Sequence, residues 1–211
     1  MASDRPEDLS FLVKAGFVKG DPNILRDAIL YLTAKCAYVY PVKLAKLLYL
    51  AELEHINRVG KRLTSAEFLH DNYGPNPREA TLIIDFLEMD GWLRKEVETT
   101  KRGYHMTKIR LARPAPKLGL SPDAVETLRS VAASWKFRNT DAIVAASKET
   151  EPFRNTPKGA PIDLNDYLAG RNLLAGTGIR EQVAESQDDI GHGRHRKFAS
   201  KGEALSYLDS I

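Results

Sequence analysis

The sequence predicts a mainly α-helical fold: a compact domain of about six helices, a small wing-like β-hairpin insertion and a flexible C-terminal tail. In several segments apolar residues recur every three or four positions, which is the period of a helix face. Residues 92–111 instead carry many β-branched and aromatic side chains, which favours strands. After Leu174 glycines and charged runs replace the apolar pattern, which is typical of a flexible segment.

Length and composition fit one domain with short extensions. The chain has 211 residues, 43% apolar and 28% charged, which is ordinary for a globular protein and excludes wholesale disorder. We expect residues 1–21 to form an N-terminal arm and residues 22–174 the helical domain. Residues 175–211 are then a tail that ends in a short amphipathic helix.

The sequence also indicates in which cellular compartment the protein is expected. No apolar run approaches the roughly 18–20 residues of a membrane-spanning helix, so no membrane partner is expected. The first eight residues are polar and include acids, unlike a secretory signal. The single cysteine, Cys36, excludes a disulfide scaffold. These features favour a reduced, cytoplasmic protein.

The first two helices of the domain have clear start signals. Asp21 is expected to cap a helix that has Pro22 at its first position. A second helix is expected to begin near Pro41 and to end at Gly60. Its predicted inward stripe consists of Leu44, Leu47, Leu48 and Ala51. Lys43, Lys46 and Glu54 are predicted to point away from that stripe.

The third helix is predicted from a capping box. Asn76 is its expected cap, Pro77 its first residue and Glu79 the side chain that reaches back. Gly91 fits a left-handed C-terminal cap. The preceding Asn72-Tyr73-Gly74-Pro75 has the composition of a turn.

A basic hairpin is predicted at about 94–113, with Lys101-Arg102-Gly103 as its turn. Eight Lys and Arg residues lie between Arg94 and Lys117, against two glutamates. One interpretation is the wing of a winged helix-turn-helix that contacts DNA phosphates. Its candidate contacts are Lys101, Arg102, Lys108 and Arg110. The other is a solvated hairpin with charged edges, which the acidic third helix favours.

Three further helices follow. The fourth is expected to open at Ser121-Pro122 and the fifth at Asn139, with a loop over residues 151–161. Asp163 and Asp166 bracket the start of the sixth. In the tail, a capping-box pattern precedes the apolar stripe of Ala204, Leu205 and Leu208. That stripe either docks on a partner or packs on the domain itself, and the sequence leaves both open.

No motif predicts catalysis, a metal or a cofactor. Glu52 and His55 have the spacing of one half of a di-iron site, but a second copy is missing, so we expect ordinary helix surface or boundary residues. Cys36 has no histidine nearby in sequence to activate it, and phosphate-binding and nucleophile-elbow motifs are absent from the sequence. We therefore expect a protein that is not an enzyme.

The second helix also carries a family resemblance. Its Lys43-Leu44-Ala45-Lys46-Leu47-Leu48-Tyr49 resembles the opening motif of the Panacea domain, the SocA-like antitoxin family. The turn at Gly60, the Glu67-Phe68 pair and Tyr73-Gly74-Pro75 follow in the family's order. Pro152-Phe153 stands where the family often has Pro-Trp. The motif positions are Lys43, Leu44, Lys46, Leu47, Tyr49, Tyr73, Gly74, Pro75, Pro152 and Phe153.

The resemblance covers about residues 24–174 and implies a helical, non-catalytic type II antitoxin that binds and blocks a cognate protein toxin. It also implies a second role, an adaptor that hands the toxin to the ClpXP protease, and the sequence does not decide between adaptor and blocker. The alternative function is a winged-helix-like transcriptional regulator whose partner is operator DNA. For that alternative we expect DNA binding that weakens steeply with salt.

Overall fold

The fold was obtained as a computed structural model, which describes residues 6–99, 103 and 105–176, with side chains up to residue 171. The described helices are α1 (Phe11–Lys14), α2 (Pro22–Lys35), α3 (Pro41–Val59), α4 (Ala80–Met89), α5 (Pro122–Trp135), α6 (Thr140–Lys148), α7 (Glu151–Arg154) and α8 (Leu164–Gly176). The described strands are β1 (Phe68–Asp71), β2 (Gly74–Pro77), β3 (Leu93–Thr99), β4 (His105–Leu111) and β5 (Pro161–Ile162).

The architecture is mixed, mostly helical with two small antiparallel sheets. One sheet has the strand order β2-β1-β5 and the other is the β3-β4 hairpin. The expected count of about six helices is too low for the described residues, because the single-turn helices α1 and α7 add two. The sheet β2-β1-β5 was not predicted, since its strands have only two to four residues and show no readable alternation.

Helix α3 is the centre of the core. Twelve of its nineteen residues are buried, on all of its faces, and it contacts α2, α5, α6 and β2. Leu44, Leu47 and Leu48 are almost fully inaccessible. Each such leucine contributes about 1.5–3 kcal/mol by leaving water. A helix surrounded in this way holds its neighbours in place, so its polar residues decide how the surrounding loops are attached.

The predicted helix starts are confirmed at four places. Asp21 accepts hydrogen bonds from the N–H groups of Asn23 and Ile24 at the start of α2. Ser121 caps α5 and Asn139 caps α6 in the same way. One carboxylate oxygen of Asp163 accepts two backbone N–H groups at the start of α8. Gly60 ends α3 in the left-handed conformation, with φ 70°.

The predicted capping box of the third helix is wrong. Helix α4 begins at Ala80, and no side chain caps it. Asn76 and Pro77 belong instead to β2, opposite Leu69 and Phe68 of β1. Proline is tolerated there because β2 is an edge strand and need not donate a ladder hydrogen bond. The predicted C-terminal cap is confirmed, since Gly91 has φ 70°.

The hairpin prediction is confirmed by β3 and β4, which pair from Leu93 opposite Leu111 to Thr99 opposite His105. The expected turn residues Lys101 and Arg102 lie outside the described residues. The N–H of Ile109 donates to the carbonyl of Val39 at 2.8 Å and attaches the hairpin to the segment between α2 and α3.

The segment before α2 takes part in the core. Leu9, Leu12 and Val18, in the predicted N-terminal arm, are each at least 97% buried, with exposures of 3%, 2% and 3%. Within the described part of the chain, no helix combines the length and apolar character that crossing a bilayer requires.

Candidate functional site

The motif residues converge on α3, and its two lysines are core residues. Lys43 has no exposed surface, and its Nζ donates to the carbonyls of Ala37 at 2.9 Å and Arg138 at 2.8 Å. Burial lowers the pKa of this amine. Lys43 is therefore buried even though it was predicted to lie off the apolar stripe. Its ammonium instead joins the loop before α3 to the loop after α5.

Lys46 lies one turn further along α3 and is 2% exposed, so it too is buried although it was predicted to lie off the apolar stripe. Its Nζ donates to the carbonyl of Pro75 at 2.9 Å. Burial lowers the pKa of Lys46 to about 8, and the charge of Asp71 opposes that shift. A buried ammonium is stable only where acceptors meet it, so Lys46 fixes the position of β2 against α3.

Gly74 allows this contact. It has φ 89°, which L-residues rarely adopt. A Cβ at this position would lie 3.1 Å from Cε of Lys46 and 3.1 Å from Oγ of Ser147. The lysine motif and the Tyr73-Gly74-Pro75 turn are thus two sides of one packing arrangement. This accounts physically for their joint occurrence in the sequence.

The remaining aromatic motif residues extend the cluster to α7. The hydroxyl of Tyr49 shares a 2.8 Å hydrogen bond with Oγ1 of Thr150, and its ring meets Phe68 edge to face at 5.4 Å. Burial raises the pKa of Tyr49 to about 12. Phe153 is buried in α7, and its ring lies 3.8 Å from that of His70 in β1. The motif side chains of α3 therefore bond to the loop after α5, to β2 and to Thr150 at the start of α7.

Two important residues of α3 were misjudged from the sequence. Glu52, expected at the surface or boundary, is fully buried and accepts the N–H groups of Leu63 at 2.9 Å and Thr64 at 2.8 Å. Arg62 adds an ion pair at 3.0 Å. His55 is also buried, and its Nδ1 lies 2.9 Å from Oγ1 of Thr127. Their sequence signal is weak, because spacing alone does not distinguish a capping carboxylate from a surface one.

The buried polar side chains of α3 form a cluster that holds the neighbouring segments in place. Its polar groups bond to backbone carbonyls, backbone N–H groups and hydroxyls and, at Glu52, to the guanidinium of Arg62. Among the residues that the structure describes, no three His, Cys, Asp or Glu side chains are grouped so that they could hold a metal ion. Cys36 is half-buried at the C-terminus of α2, and burial raises the pKa of its thiol.

A small cavity of about 130 Å³ opens beside the cluster, between the start of α3, α4 and the β1–β2 hairpin. Lys46 lines it from α3, Thr81 from α4 and Tyr73 from the hairpin turn. Tyr73 is 69% exposed. The buried motif thus places an exposed aromatic ring at the edge of a concave surface.

The cations of the β3–β4 hairpin are held in ion pairs. Lys108 bonds Glu98 at 2.8 Å, and Arg110 bonds Glu96 at 2.8 Å. Lys95 bonds both Asp85 and Glu88 of α4. These pairs reduce the positive potential that a DNA phosphate would meet. The other candidate DNA contacts, Lys101 and Arg102, and the candidate partner-binding residues Ala204, Leu205 and Leu208 lie outside the described residues.

Comparison with known proteins gives one match. The family model described as antitoxin SocA-like, Panacea domain, matches residues 44–153, which is just over half of the chain. The matched segment runs from α3 to Phe153 in α7 and includes the cavity-lining residues Lys46, Tyr73 and Thr81. No curated protein and no solved structure matches the chain.

Proposed function

The chain belongs to the SocA-like antitoxin family, and from that premise we propose that it neutralises a cognate protein toxin by binding it directly. The observation that carries the proposal is the family match over residues 44–153, which include every motif position except Lys43. The contacts of the α3 cluster support it, because they build a fixed surface.

Rigidity is what such a binding role requires. Lys43, Lys46 and Glu52 tie α3 to the loops on both sides and to the β1–β2 hairpin. A surface that is already ordered loses less conformational entropy when a partner binds. Neutralisation then needs no chemical step, since a tightly held toxin is removed from its target by mass action.

The test is to express the neighbouring open reading frame alone and together with this chain. We expect growth arrest in the first case, and rescue with a stoichiometric complex in the second. Growth arrest that persists despite equal expression of both chains, with no complex on co-purification, would contradict direct neutralisation. A chain with Gly74→Trp is a suitable negative control, because that side chain collides with Lys46 and Ser147.

Delivery of the toxin to ClpXP is a separable part of the proposal, which the family resemblance suggests. If the chain is an adaptor, the toxin's half-life shortens when the chain is present and recovers in cells that lack ClpX. If it only blocks, the half-life stays the same or lengthens, since binding stabilises the folded toxin. Pulse-chase measurement of the tagged toxin separates the two.

A further inference from the structure

We propose that the cavity between α3, α4 and the β1–β2 hairpin is the toxin-docking pocket, and that it receives one acidic side chain of the toxin, whose carboxylate bonds the ammonium of Lys46. This inference rests on the proposed antitoxin function and specifies the contact surface and its chemistry. Its evidence is the size of the cavity, the residues at its rim and the hydrogen bonding of its floor.

The size fits a single side chain. The cavity holds about 130 Å³, whereas pockets for cofactors and drug-sized ligands hold roughly 300–1,000 Å³. A cavity of about 150 Å³ accepts one benzene-sized group. An anchor residue from a protein partner therefore fits, and a nucleotide or flavin does not.

The rim has the composition of a protein interface. Val42 on α3 is 37% exposed and Tyr73 on the hairpin turn is 69% exposed, and both border the cavity. Pro41, Ala45 and Ile84 supply apolar wall. Exposed tyrosines beside a concave apolar pocket are typical of the residues that dominate binding energy in interfaces. The rim therefore favours a protein partner over a small polar solute.

The buried ammonium of Lys46, which lines the cavity, favours a negatively charged occupant. Lys46 is 98% buried, as its 2% exposure shows, and its ammonium can donate three hydrogen bonds. The carbonyl of Pro75 accepts one of them. No acid of the described residues forms an ion pair with Lys46, although the charge of Asp71 at the rim acts on its ammonium from a greater distance. The Oδ1 of Asp71 accepts the N–H of Asn72 at 2.6 Å. A carboxylate entering the cavity would therefore compete with Asp71 for a buried ammonium that has no direct ion-pair partner, and the bond it forms would be charge-assisted.

The first test fills the cavity from its exposed side. Thr81 is exposed on α4 and lines the cavity, so Thr81→Phe occupies the space without entering the core. We expect the Kd for the toxin to rise roughly 30-fold or more, the loss typical of an interface hot spot. Ser134→Phe, at an exposed position of α5, is the matched control and should leave Kd within about 2-fold. Calorimetric titration of the full-length chain with purified toxin measures both.

The second test isolates the charge with two substitutions of equal size. Thr81→Glu places a carboxylate beside the incoming one, and Thr81→Gln does not. We expect Thr81→Glu to bind at least about 10-fold more weakly than Thr81→Gln, with the gap shrinking at high salt. A neutralising scan of the toxin's acidic residues should then find one substitution that removes this gap. Equal affinities of the two variants would overturn the carboxylate assignment.

The outcomes separate the two proposals. If the wild-type chain forms no complex with the toxin, the antitoxin proposal fails and the docking pocket fails with it. If the wild type binds and Thr81→Phe binds equally well while remaining folded by circular dichroism, only the docking pocket is overturned. Tyr73→Ala, with Phe137→Ala as a comparably exposed aromatic control, provides an independent check, because Phe137 is 78% exposed and is not among the residues that line the cavity. We expect only Tyr73→Ala to weaken binding.

Discussion

Two lysines at the centre of α3 act as core residues because their surroundings provide carbonyl acceptors. The aliphatic stem of lysine packs like an apolar side chain, and only the terminal ammonium needs polar partners. Lys43 finds them in the carbonyls of Ala37 and Arg138, and Lys46 finds one in the carbonyl of Pro75. Neither has a carboxylate partner among the described residues, so both amines pay a desolvation cost that lowers their pKa.

This cost predicts how stability depends on pH. The pKa of Lys46 falls from 10.5 to about 8 on folding, so between those values the unfolded chain binds more protons than the folded one. The Lys46 contribution to the free energy of unfolding therefore rises as pH increases through that window. We expect the stability of the wild type relative to Lys46→Met to increase by about 1–3 kcal/mol between pH 7.5 and pH 10.

Urea denaturation of both proteins across that pH range measures the difference. Comparing the pair cancels the groups they share, including Tyr49, whose raised pKa acts in the opposite direction above pH 10. Parallel stability curves would show that Lys46 keeps its ordinary pKa in the folded protein.

Glu52 predicts a large stability loss at a single residue. Its buried carboxylate accepts the N–H groups of Leu63 and Thr64 and pairs with Arg62. Glu52→Ala leaves these donors and the guanidinium without their acceptor, so we expect a loss of about 3–5 kcal/mol in unfolding free energy. Glu126→Ala, which removes an exposed ion pair with Arg129, should cost less than about 1 kcal/mol. Equal losses in thermal denaturation would mean that Glu52 is solvated in solution.

At the scale of the elements, the end of α4 depends on one backbone conformation. Gly91 has φ 70°, and the N–H of the following Trp92 bonds the carbonyl of Leu87 at 2.8 Å. A Cβ at Gly91 would meet no neighbouring atom within 4 Å, so the cost of Gly91→Ala is conformational alone. We expect a loss of about 1–2 kcal/mol in unfolding free energy.

Met89→Ala is the control for this prediction. Met89 is 84% exposed in the last turn of the same helix, and its removal should change stability by less than about 0.5 kcal/mol. Chemical denaturation of both variants measures the two changes in unfolding free energy. A neutral Gly91→Ala would indicate that the end of α4 relaxes into another cap.

The elements also show what the sequence could predict. The starts of α2, α5, α6 and α8 followed from residues that bond their own helix, and such signals are local. The start of α4 did not, because Asn76 and Pro77 pair with β1 and that partner is distant in sequence. The capping signal was present, and tertiary pairing overrode it.

At the scale of the whole molecule, the proposed binding surface is formed entirely by residues of the helical domain. We therefore expect a chain truncated after Leu174 to retain toxin binding within about 3-fold, because the cavity and its rim are all within residues 41–84. Loss of neutralisation by this shortened chain, with its circular dichroism spectrum intact, would assign the contact to the tail with Ala204, Leu205 and Leu208.

Packing across the whole molecule also explains which parts of the site the sequence could predict. Family resemblance identified Lys43, Lys46 and Tyr73 as positions of interest, but the helical pattern placed both lysines off the buried stripe. That assignment assumed one buried face, whereas α3 is surrounded by α2, α5, α6 and β2. The cavity itself joins residues from three elements, and its volume depends on their packing, which no local pattern records.

The burial of Lys43 also makes it an internal reporter. An amine-acylating reagent modifies exposed lysines such as Lys19 directly, but it reaches the Lys43 amine only when the fold opens. Its modification rate, read by mass spectrometry, therefore measures the fraction of molecules that are transiently open. Adding the proposed toxin to such an experiment would show how far complex formation suppresses opening, without any substitution in the chain.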